Sequence, residues 1–196
     1  LESPGESEIP NGNGNKRDLG MQTALFVART IHNDLTLVNA SSWSWWTALT
    51  RADYKDGLVY LDDGTNNGSQ VTDYCKKDGF ARDSKLMWML GNYSFFVRPG
   101  MKRVAVITEN PDPEKESKDV MISAYKDGSS KKIVLVAVNV GSVNRKYNLQ
   151  DLKLKNQTLT PYTTSETSNL GKGTTIKTNE IVVPAKSVVT FVGELE

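Results

Sequence analysis

Leu35-Thr-Leu-Val-Asn-Ala-Ser-Ser-Trp-Ser-Trp-Trp-Thr-Ala-Leu49 is the stretch that decides the fold. It is mostly apolar or small, and its centre reads as a strand covered on both faces, the pattern of a parallel sheet with helices on either side. Before it, Leu19, Met21, Ala24, Leu25, Ala28, Ile31 and Leu35 recur at three- and four-residue spacing and predict a helix, with Asn15 or Asp18 as its cap. After it, a long loop from about Thr50 to Asp83 holds one short predicted strand, Leu58–Leu61, between Asp-Gly turn signals. A second helix is expected from Ser84 to Val97, ended by Pro99 and Gly100. Two helices around one buried strand cannot satisfy that strand's backbone groups, and parallel strands need parallel neighbours that the sequence does not supply. The first hundred residues therefore read as the last αβα portion of something larger, for which a (β/α)8 barrel of about 250 residues is the leading candidate.

Beyond Gly100 the character changes. Short β-rich runs separated by turn residues are expected at Arg103–Thr108, Val120–Tyr125, Lys132–Val140, Arg145–Leu149, Thr158–Thr163, Thr174–Thr178, Ile181–Val183 and Ser187–Val192. This spacing argues for an antiparallel β-sandwich. Ile133–Val138 is apolar throughout and reads as a central strand, whereas Pro111-Asp112-Pro113 with its Glu/Lys run reads as a solvated loop. The expected fold class is thus α/β plus all-β: residues 1–100 the C-terminal segment of a (β/α)8 barrel, residues 101–196 a β-sandwich side domain.

Composition narrows the functions. With 24 Lys+Arg against 23 Asp+Glu, the chain carries no charge excess that would suit nucleic acid or an anionic membrane. No apolar run approaches the roughly 20 residues of a membrane span. The chain does not begin with Met, so a processed chain or a fragment is expected, and the absent signal peptide is silent about export. One cysteine, Cys75, and one histidine, His32, leave no Cys- or His-rich metal site. Cys75 reads as a chance thiol, and His32 as a surface or helix-end residue. Asp62, Asp63, Asn66 and Asn67 cluster oxygen donors, but turn chemistry explains them better than a calcium loop. No metal or cofactor is expected.

Three stretches together resemble glycoside hydrolase family 30. They are Lys85–Val104 (KLMWMLGNYSFFVRPGMKRV), similar to the family's last barrel helix and exit; Asn39–Trp46 (NASSWSWW), similar to its eighth barrel strand; and Val183–Phe191 (VPAKSVVTF), similar to the final strand of its side β-sandwich. The first half most resembles endo-β-1,6-galactanase-like members through Ala24–Arg29, Ser42–Trp46 and Asp53–Tyr60, with xylanase-like and glucosidase-like members left open. The resemblance implies a retaining, endo-acting glycosidase that is secreted, periplasmic or on the cell surface. Retention needs two carboxyl groups about 5–5.5 Å apart. By family pattern these are glutamates ending the fourth and seventh barrel strands, so both are expected upstream of Leu1. Glu2, Glu6 and Glu8 are then loop residues; Glu2 in particular has no preceding strand to hold it as a nucleophile. The 196-residue chain alone is expected to be inactive, with a polysaccharide or oligosaccharide substrate and the missing N-terminal barrel portion as its partners.

What remains of a site is tryptophan. Aromatic rings offer large apolar area to the C–H faces of sugars at little entropic cost. Side chains alternate along a strand, so Ser42, Ser44 and Trp46 share one face while Trp43 and Trp45 share the other. Trp46 is the foremost expected sugar contact, followed by Trp43 and Trp45, against the alternative that all three are core. Tyr54, Asp56 and Tyr60 on the following loop are further candidates for outer subsites. Trp88, near Leu86 and Leu90, reads as core. A non-catalytic carbohydrate-binding or structural β-sandwich module remains the competing function, for which the second half offers only Tyr125, Tyr147, Tyr162 and Phe191 as aromatics.

Overall fold

Helix α1 (Met21–Thr36) forms where the apolar spacing predicts it. Asp18 closes its first turn from outside: Oδ1 accepts from Gly20 N and Oδ2 from Thr23 N, both at 2.8 Å, which satisfies donors that helix geometry leaves orphaned. The helix ends where the Asn33 carbonyl accepts from Leu37 and Val38 N–H and Asn39 turns left-handed at φ 57°. Helix α2 (Lys85–Ser94) is capped by Ser84, whose side-chain oxygen accepts from Met87 N. The computed structural model describes residues 17–52, 54–62, 79–107, 111–150, 152–179 and 181–196. The expectations for Glu2, Glu6, Glu8, Asp63, Asn66, Asn67 and Cys75 fall outside those residues.

Between the helices lies a three-stranded sheet of β1 (Leu49–Thr50), β2 (Val59–Asp62) and β3 (Phe80–Asp83). A larger antiparallel sheet follows: β4 (Lys102–Val104), β5 (Val120–Lys126), β6 (Lys132–Asn139), β8 (Thr158–Ser165), β9 (Ser168–Lys172), β10 (Ile176–Lys177) and β12 (Ser187–Glu194). Its order is β10-β8-β12-β6-β5-β4, with β9 paired to β8. Strands β7 (Arg145–Tyr147) and β11 (Ile181–Val183) make a separate antiparallel pair.

Strand β6 shows why its sequence is apolar without alternation. Val134, Val136 and Val138 face the helices, where they join Leu25, Ala28, Ile31, Met89, Tyr93 and Phe96 in one buried cluster. Ile133, Leu135 and Ala137 face the other way, into a second cluster with Ile181, Val183, Leu154, Leu159 and Phe191. Both sides of the strand are covered, and each fully buried aliphatic side chain contributes about 1.5–3 kcal/mol. The helices of the first half and the sheet of the second half therefore share a core. Asn92 fastens that junction: its Nδ2 donates to Tyr162 O and Thr190 Oγ1 at 3.0 Å, and Thr190 Oγ1 donates to Asn92 O at 2.7 Å.

Several expectations need correction. The 39–46 run forms no hydrogen-bonded strand; the first paired residues are Leu49 and Thr50. The chain does supply a parallel neighbour, because β1 pairs parallel with β2 through Leu49–Val59 and Thr50–Tyr60. Strand β3, antiparallel to β2, and strand β9, hairpinned to β8, were not expected. Polar sequences such as Ser168-Asn-Leu-Gly-Lys172 carry no strand signal and pair because a hairpin brings them back. The Pro111–Pro113 region is not only loop: Asp112 accepts from Glu114 and Lys115 N–H and starts a short helix, α3 (Pro113–Glu116). His32 is not a surface residue but is buried on the helix–sheet boundary, and Trp88 is half-buried outside both clusters, its indole donating to Asp83.

Candidate functional site

Exposure along the tryptophan run alternates with a period of two, as an extended backbone requires. Ser42, Ser44, Trp46 and Ala48 are exposed, and Trp43, Trp45 and Thr47 are half-buried. The serine face is open in this chain, and Trp46 stands 73% exposed on it. Trp43 and Trp45 point to the opposite side and pack against the helix–sheet core. Their rings stack with centroids 5.7 Å apart and planes within 9°. Each indole N–H has an acceptor: Trp43 donates to Asp34 Oδ2 at 2.9 Å and Trp45 to the Asp56 carbonyl at 2.7 Å.

The turn that carries Tyr54 and Asp56 is fastened from several directions. Thr47 N donates to Asp56 O, Leu58 N to Thr47 O and Val59 N to Ala48 O, which zips the end of the tryptophan run to the turn and to β2. Tyr60 is wholly buried. Its hydroxyl accepts from Gly57 N at 3.1 Å and donates to the Tyr54 carbonyl at 2.5 Å, and Arg17 lies over its ring at 4.9 Å. Burial, the larger effect, pushes the Tyr60 hydroxyl above its ordinary range. Gly57 is required by closeness: a Cβ there would sit 2.5 Å from Thr50 Cγ2 and 2.6 Å from Tyr60 Cζ. Ser84 ties the turn to α2, its Oγ 3.0 Å from the Gly57 and Leu58 carbonyls.

Asp56 is 6% exposed, and its Oδ1 is buried without a hydrogen-bond partner among the described residues. Burial holds its carboxyl above the ordinary carboxylate range, partly offset by a hydrogen bond from its own backbone N–H. Tyr54, by contrast, is 45% exposed. The six candidates thus fall into one neighbourhood with two kinds of member. Trp46 and Tyr54 offer rings to solvent, whereas Trp43, Trp45, Asp56 and Tyr60 are turned inward and hold the segment. Sequence reasoning missed Asp34, Gly57 and Ser84. The Asp-Gly signal marked Gly57 as a turn residue, but nothing local marks Asp34 or Ser84 as partners of residues 9 and 27 positions away.

Among the described residues, no group of three or more His, Cys, Asp or Glu could hold a metal ion, and no helix is long and apolar enough to cross a membrane. What this neighbourhood presents to solvent is two aromatic rings, Trp46 and Tyr54, on a hydrogen-bonded frame.

Residues 5–60 match a family model described as O-glycosyl hydrolase family 30. A glucuronoxylanase, XynC of Bacillus subtilis, is 31% identical over 193 residues, which cover 95% of this chain and 38% of that protein. A crystal structure described as a conserved exported protein from Bacteroides fragilis superposes with a TM-score of 0.76 at 37% identity, covering 88% of this chain and 33% of that one. The structure of a family 30 endoxylanase from Clostridium papyrosolvens shares the fold, at a TM-score of 0.61 and 24% identity, covering 91% of this chain and 41% of that one. The chain therefore spans well under half the length of each of these relatives. The chain thus matches the family 30 model on residues 5–60 and is similar over most of its length to a glucuronoxylanase and, in fold, to a family 30 endoxylanase, which together support a C-terminal part of a glycoside hydrolase of that family.

Proposed function

We propose that the polypeptide carrying this chain is a secreted, retaining, endo-acting glycosidase of a β-linked polysaccharide, and that this chain supplies an aromatic sugar contact rather than the catalytic carboxylates. The observation that carries the reading is Trp46, 73% exposed at the end of a backbone run whose flanking residues are all anchored. Trp46 stands on the face opposite the packed Trp43 and Trp45, and its ring suits the apolar face of a pyranose. Tyr54 is the second contact. The catalytic glutamate pair belongs to the portion of the polypeptide that this chain does not span.

The substrate order is reversed from that expected. The curated relatives are glucuronoxylanases, so xylan takes precedence over β-1,6-galactan despite the galactanase-like wording of the first half. Secretion draws support from the exported relative in Bacteroides fragilis. A further barrel portion would cover the apolar residues exposed on the small three-stranded sheet, namely Leu49 at 61%, Leu61 at 39% and Phe80 at 68%. The division at residue 100 then marks where barrel passes to side domain, although the two share a core. The rival reading, a free-standing carbohydrate-binding module, has less to stand on: Tyr125 and Phe191 are buried at 4% and 2%, and Tyr147 and Tyr162 are half-buried, so among the described residues of 101–196 no aromatic ring is classed as exposed.

Digestion decides the matter. The full-length polypeptide should release oligosaccharides from glucuronoxylan, with the β-anomer formed first by NMR, and the 196-residue chain alone should release none. Turnover by the isolated chain, or activity of the full polypeptide only on β-1,6-galactan, would overturn the respective part of the proposal.

A further inference from the structure

We propose that Asp34 is a positioning residue, setting the direction of the Trp46 ring through the stacked pair Trp43 and Trp45. The inference deepens the sugar-contact reading of Trp46 and rests on it for the purpose, though not for the existence, of the linkage. The contacts run without a gap. Asp34 Oδ2 accepts from Trp43 Nε1 at 2.9 Å, Trp43 stacks on Trp45 at 5.7 Å, and Trp45 Nε1 donates to the Asp56 carbonyl at 2.7 Å. That same carbonyl accepts from Thr47 N, the residue after Trp46. Trp46 therefore sits between two anchored neighbours while its own ring is exposed. A ring with so little packing of its own takes its direction from the backbone on either side.

Helix energetics give an independent reason to look for a role at Asp34. It lies in the last turn of α1, where no basic residue stands and where the unsatisfied carbonyls make a negative charge unfavourable. A carboxylate there weakens the helix that carries it. The charge-assisted hydrogen bond to Trp43 gives that carboxylate a partner, and such bonds are about twice as strong as neutral ones. Nothing in the local sequence calls for an acid at this point; the indole nine residues on does.

The test uses this 196-residue chain, whose four tryptophans give four indole N–H signals that are readily assigned by NMR. Asp34→Ala should shift not only the Trp43 signal but also those of Trp45 and Trp46, and should weaken xylohexaose binding, followed at the Trp46 signal, by roughly two- to tenfold. Asp34→Asn keeps an acceptor and should restore most of both. Trp43→Phe keeps a ring for the stack but loses the N–H, and should reproduce Asp34→Ala; it also serves should Asp34→Ala fail to fold. Should Asp34→Ala move only the Trp43 signal, or should Asp34→Asn behave like Asp34→Ala, the positioning role is wrong. If the Trp45 and Trp46 signals move as stated but xylohexaose leaves the Trp46 signal of the full-length polypeptide unmoved, the linkage stands and the sugar reading of Trp46 fails.

Discussion

Replacing the chain's single histidine by leucine should remove about 3 kcal/mol of acid sensitivity between pH 7 and pH 4. His32 is 8% exposed, and its Nδ1 has no hydrogen-bond partner among the described residues. It lines a cavity of about 130 Å³ together with Arg103 of β4, Glu116 of α3 and Ser123 of β5. Burial, and secondarily the positive charge of Arg103, lower its pKa to about 4. In the unfolded chain the ring titrates near 6.5, so between about pH 6.5 and pH 4 the unfolded state binds the extra proton and the native state refuses it. Stability is therefore undiminished above about pH 7 and falls as the pH drops through 6.5, with the loss nearly complete near pH 4. A separation of about 2.5 pH units at about 1.4 kcal/mol each comes to about 3 kcal/mol. That is a large fraction of a typical folding free energy of about 5–15 kcal/mol. Urea denaturation of wild type and His32→Leu at half-unit pH steps reads it directly, because the carboxylates titrate alike in both and cancel in the difference. The two stabilities should differ by about 3 kcal/mol more at pH 4 than at pH 7, in favour of leucine. Parallel curves over that range, or an NMR titration of the His32 ring with a midpoint near 6.5, would refute the argument.

Tyr60→Phe should leave the buried Gly57 N–H without an acceptor and cost about 1–3 kcal/mol. For a chain of this size the melting temperature should fall about 2–4 °C per kcal/mol, with faster hydrogen exchange at the Gly57 amide; an unchanged melt and unchanged exchange would show that the hydroxyl does not hold the turn. Gly57→Ala should cost a further about 1–3 kcal/mol by overpacking against Thr50 and Tyr60, measurable in the same melts. Adding Thr50→Ser, which removes the closest methyl but keeps the hydroxyl that accepts from Ala52 N, should recover only part of that loss because the Tyr60 ring remains in the way.

Where the sequence was legible, one physical signal was strong and local. The spacing of Met21, Ala24, Leu25, Ala28 and Ile31 fixes both the helix and its buried face, and the unbroken apolar run of β6 announces a strand covered on both sides. What stayed hidden depends on partners far along the chain. β9 carries polar residues and pairs only because a hairpin returns it to β8. His32, flanked by arginine, asparagine and aspartate within a few residues, reads as exposed until β4 and β5 are laid against that side of α1. The alternation of the tryptophan run was legible although the strand was not, since an extended backbone alternates whether or not it is paired. The division of the candidate site into outward and inward members was beyond reach, because it turns on Asp34, Asp56 O and Tyr60 meeting across loops.

The central claim is that Trp46 contacts sugar. Its most direct test is the kcat/KM of the full-length polypeptide on glucuronoxylan, wild type against Trp46→Ala, with melting curves alongside. Loss of a stacked ring of this size should lower kcat/KM by roughly 10- to 100-fold, corresponding to about 1–3 kcal/mol. Because Trp46 is 73% exposed in this chain, the same substitution should change the stability of the 196-residue chain by no more than about 0.5 kcal/mol. A variant with wild-type kcat/KM would contradict the account, and so would one whose loss of activity is matched by loss of fold.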